Sequence, residues 1–336
     1  MNMPVEQPSQ EPQQEPGQEP GQEPGQEPGQ EPGQEPSPAL RVTPSRWNAS
    51  LALGITRTSR GSVLKSNVHQ GPLYVQKPFY PEGRELAHLY LLHPPGGMVS
   101  GDTLAIAVNL GDAAAALLTT PGAGRAYKAR ADKTPQRQNL RFELAAQATL
   151  EWLPLESIIY PDANTRLDTD VYLAEGARYI GWEVTCLGLP ASNQPFTATS
   201  SFSQNLNLYR HGRLALRERL QVHGDQGIYR AMTGLQSMPI SGMMVAGPFS
   251  PDGRDDDSDS KTLLSDEVIG QLRALLETDG SGKTYLTGVT LNRDFLIIRY
   301  LGHCSAQARA LFTRCWQEIR PLLIGRQACA PRIWAT

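Results

Sequence analysis

The sequence predicts a mainly β fold: one large domain of successive strands, two helices near its C-terminal end, and a leading tail that cannot join a core. Three observations predict it. From Ala49 to Val222 the apolar residues come in short runs bounded by Gly, Pro, Asp or Asn. Several of these runs alternate polar and apolar residues, the period of a half-buried strand. A helical period of apolar positions appears only after residue 262, and it appears twice.

Taken in order, residues 51–56 and 62–65 flank an Arg60-Gly61 turn, a hairpin signal. Runs follow at 86–92, 104–110, 114–119 and 140–144, and 165–173 alternates cleanly. Residues 179–187, 206–209 and 214–222 continue the pattern. Strands at this spacing without helices between them predict a mainly antiparallel body. Residues 247–261, with Asp252, Asp255, Asp256, Asp257 and Asp259, read as a solvated loop. A helix is expected over 263–276 from Leu264, Val268, Leu272 and Leu275, then a strand pair, 286–291 and 295–300, across Asn292-Arg293-Asp294. The clearest helix covers 305–323, where Ala308, Leu311, Phe312, Cys315, Trp316, Ile319, Leu322 and Leu323 share a face. Ser305 is the expected N-cap and Gly325 the expected stop.

The first 38 residues stand apart. Gln-Glu-Pro-Gly repeats as a tetrad from Gln14 to Gly33, with imperfect copies at Gln10 and Gln34. Such a composition favours extended, solvated chain, so residues 1–38 are expected to be a disordered tail and 39–330 the folded domain. The tail holds eight glutamates; without them, 31 basic residues face 26 acidic ones, and the formal charge moves from −3 to +5. That balance is too mild and too scattered to suggest nucleic-acid binding. No apolar stretch approaches the length of a spanning helix, and the tail lacks the apolar region of an export signal, so no membrane role and a cytoplasmic location are expected. Four cysteines (Cys186, Cys304, Cys315, Cys329) fit reduced thiols rather than a disulfide framework.

Signals for catalysis are poor. Gly280-Ser281-Gly282-Lys283-Thr284 imitates a phosphate loop, but Glu277 stands where the first glycine is required and the preceding segment is helical. His303, Cys304, Cys315 and Cys329 offer soft metal ligands without any closed-site spacing, and Cys315 falls on an apolar helix face. His93, Asp102, Glu151, Glu156, Asp162 and Glu183 lie at strand ends or turns; a pair of them suits acid–base work or a divalent cation. The plainer reading is that Asp102 accepts backbone N–H bonds in its own turn and Glu151 lies on a solvated strand face.

The most informative stretch is His93-Pro94-Pro95-Gly96-Gly97-Met98-Val99-Ser100-Gly101-Asp102, followed by Thr119-Thr120-Pro121-Gly122-Ala123-Gly124-Arg125-Ala126-Tyr127-Lys128. Proline presets φ and glycine allows φ > 0, so Pro94, Pro95, Gly96, Gly97 and Gly101 build a rigid turn that holds a carboxylate beside a strand. Together with Leu150-Glu151-Trp152-Leu153-Pro154-Leu155-Glu156 and Gly71-Pro72-Leu73-Tyr74-Val75-Gln76-Lys77-Pro78-Phe79, these segments resemble the urease accessory proteins called UreD or UreH, in colinear order from about Ala49 to about Gly325.

The resemblance implies a β-helix-like stack of strands with two helices, and no enzymatic activity. It implies a scaffold and chaperone that binds the accessory protein UreF, which recruits the GTPase UreG, and docks on apo-urease so that nickel reaches the active site. It further implies no tightly bound cofactor but transient Ni2+ in an internal channel, for which a series of weak oxygen ligands is the sensible lining. Asp102, Thr119, Thr120, Glu151 and Glu156 lie in the matching segments and are the expected lining. One departure stands out: after Cys186-Leu187-Gly188 the family usually carries an Arg, and a Gly-Glu a few residues on, where Leu189 and Gln194 stand here. Two other readings remain open on the residues alone: a β-fold hydrolase using an Asp/Glu pair, and a generic β-rich interaction module without a metal role.

Overall fold

The computed structural model describes residues 46–250, 264–277 and 284–335. The repeat tail, most of the acidic loop and the Gly280–Lys283 stretch lie outside the described residues.

Alternation of side chains along the strands builds three layers. The chain begins with the hairpin β1 (Asn48–Thr58) and β2 (Gly61–Gln70), then β3 (Tyr74–Val75), β4 (Leu86–Leu92), β5 (Thr103–Leu110), β6 (Ala115–Thr119) and β7 (Gly124–Ala126). It continues through β8 (Gln136–Leu144), β9 (Thr149–Trp152), β10 (Ser157–Ile159), β11 (Asn164–Leu173), β12 (Arg178–Leu189), β13 (Gln194–Pro195), β14 (Ser201–Arg210), β15 (Arg213–His223) and β16 (Ile240–Gly247). Helix α1 (Asp266–Glu277), strands β17 (Leu286–Asn292) and β18 (Phe295–Gly302), and helix α2 (Ser305–Ile324) complete it. One sheet has the order β15-β14-β11-β8-β5-β1-β2; the facing sheet runs β17-β18-β16-β12-β9-β6-β4-β3.

The expectation of a mainly antiparallel body is corrected here. β1, β5, β8, β11 and β14 pair in parallel, as do β4, β6, β9 and β12 in the other sheet. Parallel neighbours ordinarily need a helical crossover. Here the crossover is a strand of the opposite sheet, because the longer strands from β4 to β14 alternate between sheets, the short β7, β10 and β13 staying with the second one. Spacing and run length cannot distinguish such a strand stack from a meander. The stacked, helix-like arrangement that the resemblance implied is what the pairing shows.

The first sheet has one buried face and reads accordingly: β8 and β11 alternate buried and exposed residues along their length. In the second sheet β4 and β12 are buried on both faces. Between the sheets, Leu53, Val108, Phe142, Val171 and Phe202 meet Leu89, Leu118, Leu150 and Tyr179. Behind the second sheet, Ile180, Trp182, Met244 and Ile298 pack on Phe312, Cys315, Trp316 and Ile319 of α2 and Leu272 of α1. Each such side chain contributes about 1.5–3 kcal/mol when removed from water. Helix α2 keeps the predicted stop, with Gly325 left-handed at φ 68°, but its N-cap is Cys304 rather than Ser305, and no side chain caps it. Ser305 is already inside the first turn.

A cavity between the sheets and a buried ion network behind them

The Pro-Gly turn folds as its composition requires. Gly96 and Gly101 take φ of 76° and 92°, and Gly97 lies so close to the Tyr127 ring that a Cβ would sit 2.6 Å from it. Asp102 closes the turn, accepting backbone N–H bonds from Val99 at 2.9 Å and Trp47 at 3.2 Å, and is 7% exposed. The plainer reading of this residue therefore holds: it fastens the turn to the segment that leads into β1.

Beside the turn, a cavity of about 290 Å³ opens between the sheets. His93, Pro94, Gly96 and Thr120 through Arg125 form one side; Leu104, Ile106, Trp152 and Leu167 form its walls. Gln138, Glu183 and Gln204 are its polar groups on the far side. Burial lowers the pKa of His93, against the opposing charge of Asp102. Trp152 Nε1 is buried and has no hydrogen-bond partner among the described residues.

Glu183 is the interior carboxylate of this layer. Burial pushes its pKa up; hydrogen bonds from Thr169 Oγ1 at 2.9 Å and from Gln204 Nε2 pull the other way and lose. Its side chain is nevertheless not close-packed, because it faces the cavity. Among the described residues no Lys, Arg or His pairs with it. Its charge also raises the pKa of buried Tyr179, after burial itself. Beyond Gln204 a second space of about 410 Å³ continues between β14–β15 and β16–β18, crossed by the Glu218–Arg299 ion pair at 2.6 Å.

The other carboxylates behave differently. Glu151 is 0% exposed and faces the helices, not the cavity. It accepts from Trp316 Nε1 at 2.6 Å and from both Nε (2.9 Å) and Nη2 (2.9 Å) of Arg320, itself 0% exposed. Arg320 also reaches Glu82 at 2.8 Å and the carbonyl of Gln327, and His88 Nε2 lies 2.8 Å from Glu82. Burial pushes the Glu82 carboxyl up, but the bonds from His88 and Arg320 outweigh it and hold the group below its usual range. For Arg320, burial alone would lower the pKa; the Glu151 charge and the bonds to Glu151 and Glu82 raise it instead.

The five expected lining residues are thus divided. Thr120 lines the cavity, and its hydroxyl accepts from Leu155 N at 3.0 Å. Thr119 donates to Leu153 O at 2.5 Å and accepts from Trp334 Nε1 at 3.0 Å, tying down the C-terminal segment. Glu156 lies on the helix side, 3.7 Å from Arg309. Asp102 and Glu151 serve the turn and the ion network. Glu183, weighed as a candidate at a strand end but left out of the expected lining, is the carboxylate at the cavity; Gln204 and Gln138 gave no signal, and Trp152 stood only within a matching segment. The available signal for Glu183 was its standing as the lone acidic residue inside the apolar strand β12. Leu189 and Gln194 are directly opposite each other across β12 and β13, so the charged pair that the resemblance implies would be a cross-strand pair. Among the described residues no group of three or more His, Cys, Asp or Glu converges as a metal cluster. Cys315 is buried and Cys304 exposed.

The family model described as UreD urease accessory protein matches residues 48–335. The chain belongs to the UreD family. Urease accessory protein UreD of Marinomonas sp. (strain MWYL1) is 48% identical over 296 residues, covering 88% of this chain and 92% of that protein. Urease accessory protein UreD of Hahella chejuensis is 39% identical, covering 88% and 93%, and that of Methylobacillus flagellatus 38% identical, covering 87% and 95%. The UreD match spans both sheets and both helices, so cavity and ion network both lie within it. No helix among the described residues is long and apolar enough to cross a membrane.

Proposed function

We propose that this UreD-family chain acts without catalysis, as a cytoplasmic scaffold that helps deliver nickel to apo-urease in a complex with UreF and the GTPase UreG. The observation that carries the reading is the placement of Glu183: one interior carboxylate at a cavity, surrounded by neutral oxygen and amide groups rather than by a fixed cation. A conduit works if each stop binds weakly, since a tight site would retain the ion. A single carboxylate with hydroxyl and amide neighbours is such a stop for a divalent cation, whereas Glu151, already neutralised by Arg320, is not. Thr120 keeps its place on the path; Asp102, Thr119, Glu151 and Glu156 act by holding the turn, the C-terminal segment and α2. GTP hydrolysis is left to the partner, consistent with the incomplete phosphate motif at residues 280–284.

The test is the nickel content and specific activity of the cognate urease made with all accessory proteins, or with this chain alone omitted. Nickel-poor, inactive urease that recovers when the chain is restored supports the reading. Full loading without it rejects the reading in favour of an interaction module with no metal role.

A further inference from the structure

Gln204 is the one residue, among those described, that lines both the cavity beside Glu183 and the space beyond it. Its carboxamide is held from two sides. Nε2 donates to one Glu183 oxygen, while Oε1 accepts from Thr185 Oγ1 at 3.4 Å; Thr169 Oγ1 donates to the other Glu183 oxygen at 2.9 Å. Both side-chain donors are therefore aimed at the carboxylate oxygens, one to each. Each oxygen keeps a second lone pair for a divalent cation, but a cation taking it meets the NH2 end of Gln204, which repels it.

The remedy is local. The terminal torsion of a glutamine is broad and nearly two-fold. Turning it by half a revolution places Oε1 on the Glu183 side and Nε2 on the Thr185 side. Thr185, a hydroxyl that both donates and accepts, then accepts where it had donated, so that hydrogen bond survives. The bond lost at Glu183 is replaced by a metal–oxygen contact. We propose that Gln204 is a cation-responsive latch at the boundary of the two spaces: a divalent cation arriving on Glu183 turns the carboxamide and gains Oε1 as a ligand, and is released when the amide turns back. One carboxylate with amide and hydroxyl oxygens is a hard, weakly charged donor set suited to transient holding of such an ion. Trp152 Nε1, unpartnered on the cavity wall, gives its hydrogen to whatever oxygen fills the space.

The latch rests on the reading of the cavity as a nickel path, so the experiment separates the two. Ni2+ binding to the purified full chain is measured by calorimetry for the parent, Glu183→Gln, Gln204→Leu and Gln204→Glu, alongside urease nickel content after maturation with each. Gln204→Leu keeps the bulk and removes the ligating oxygen, so affinity is expected to fall about tenfold, the size of losing a supporting group at a metal site. Gln204→Glu is expected to bind more tightly yet load urease less, because the ion is retained. If both Gln204 variants bind and deliver as the parent does while Glu183→Gln loses binding, the latch is wrong and the path stands. If Glu183→Gln itself binds and delivers normally, the path fails and the latch with it.

Discussion

The two faces of the second sheet bury carboxylates in opposite ways. On the helix face, Glu151 and Arg320 are sealed together with Trp316 and Glu82, every oxygen of Glu151 being met by a cationic or indole N–H. On the face toward the first sheet, Glu183 has a threonine and a glutamine as partners and open space beside it. Burying a charge is tolerated where it is paired, and the first arrangement spends its charge on holding α2 against the sheet. The second leaves a carboxylate under-neutralised in the interior, a condition that stability alone does not favour. The contrast teaches that in this fold the carboxylate sealed against a cation is structural and the one bonded only to neutral groups is the functional candidate.

The sharpest way to break that contrast is to remove Arg320. Arg320→Ala strands Glu82 and Glu151 without their shared cation, and should cost about 3–5 kcal/mol of stability, read from denaturant unfolding. A loss under about 1 kcal/mol would mean the network holds little.

The two regions should also answer pH with opposite signs. Glu183 has a raised folded pKa, so its contribution to stability is fully present below the unfolded value of 4.5 and falls as pH rises through the raised value. Glu82 is depressed, so its contribution is present above 4.5 and is lost as pH falls through the lowered value. Unfolding curves of the parent and Glu183→Gln, compared across roughly pH 4 to 8, should diverge toward the high end in favour of the variant. Parallel curves would show that Glu183 is not desolvated.

A smaller effect concerns the C-terminal segment. Thr119→Val deletes a hydroxyl bridging Leu153 O and Trp334 Nε1, and should cost about 1–2 kcal/mol, with faster proteolysis after residue 325 as the local readout. Smallest of all is thiol access. Burial, with the nearby Glu156 charge, pushes Cys186 up to about 11, and burial pushes Cys315 up to about 12. A thiol reagent at neutral pH should label exposed Cys304 first and leave Cys186 and Cys315 unmodified until the chain unfolds. Early labelling of Cys315 would show that α2 separates from the sheet.

Much of the architecture was legible in the sequence because strands and helices are local. Residues 86–92 and the pair across Asn292-Arg293-Asp294 form where the pattern put them, and α2 keeps both its apolar face and its Gly325 stop. Direction was not legible: whether β5 pairs with β8 or with β6 depends on how the chain crosses between sheets, and that is set by non-local packing. The Pro-Gly turn was readable because its φ requirements are written in residue types. The cavity lining was not. Alternation along β9 and β12 decides whether Glu151 or Glu183 faces the first sheet, and a one-residue change of phase exchanges them. Resemblance pointed to the segments, but only the pleat assigns the faces.

The most direct measurement is the nickel content of urease matured with Glu183→Gln in place of the parent chain, after showing that the variant melts at the parent's temperature. The account predicts nickel-poor urease from a fully folded accessory protein. Urease loaded to the parent's level would contradict it, leaving the inter-sheet cavity without a part in nickel delivery.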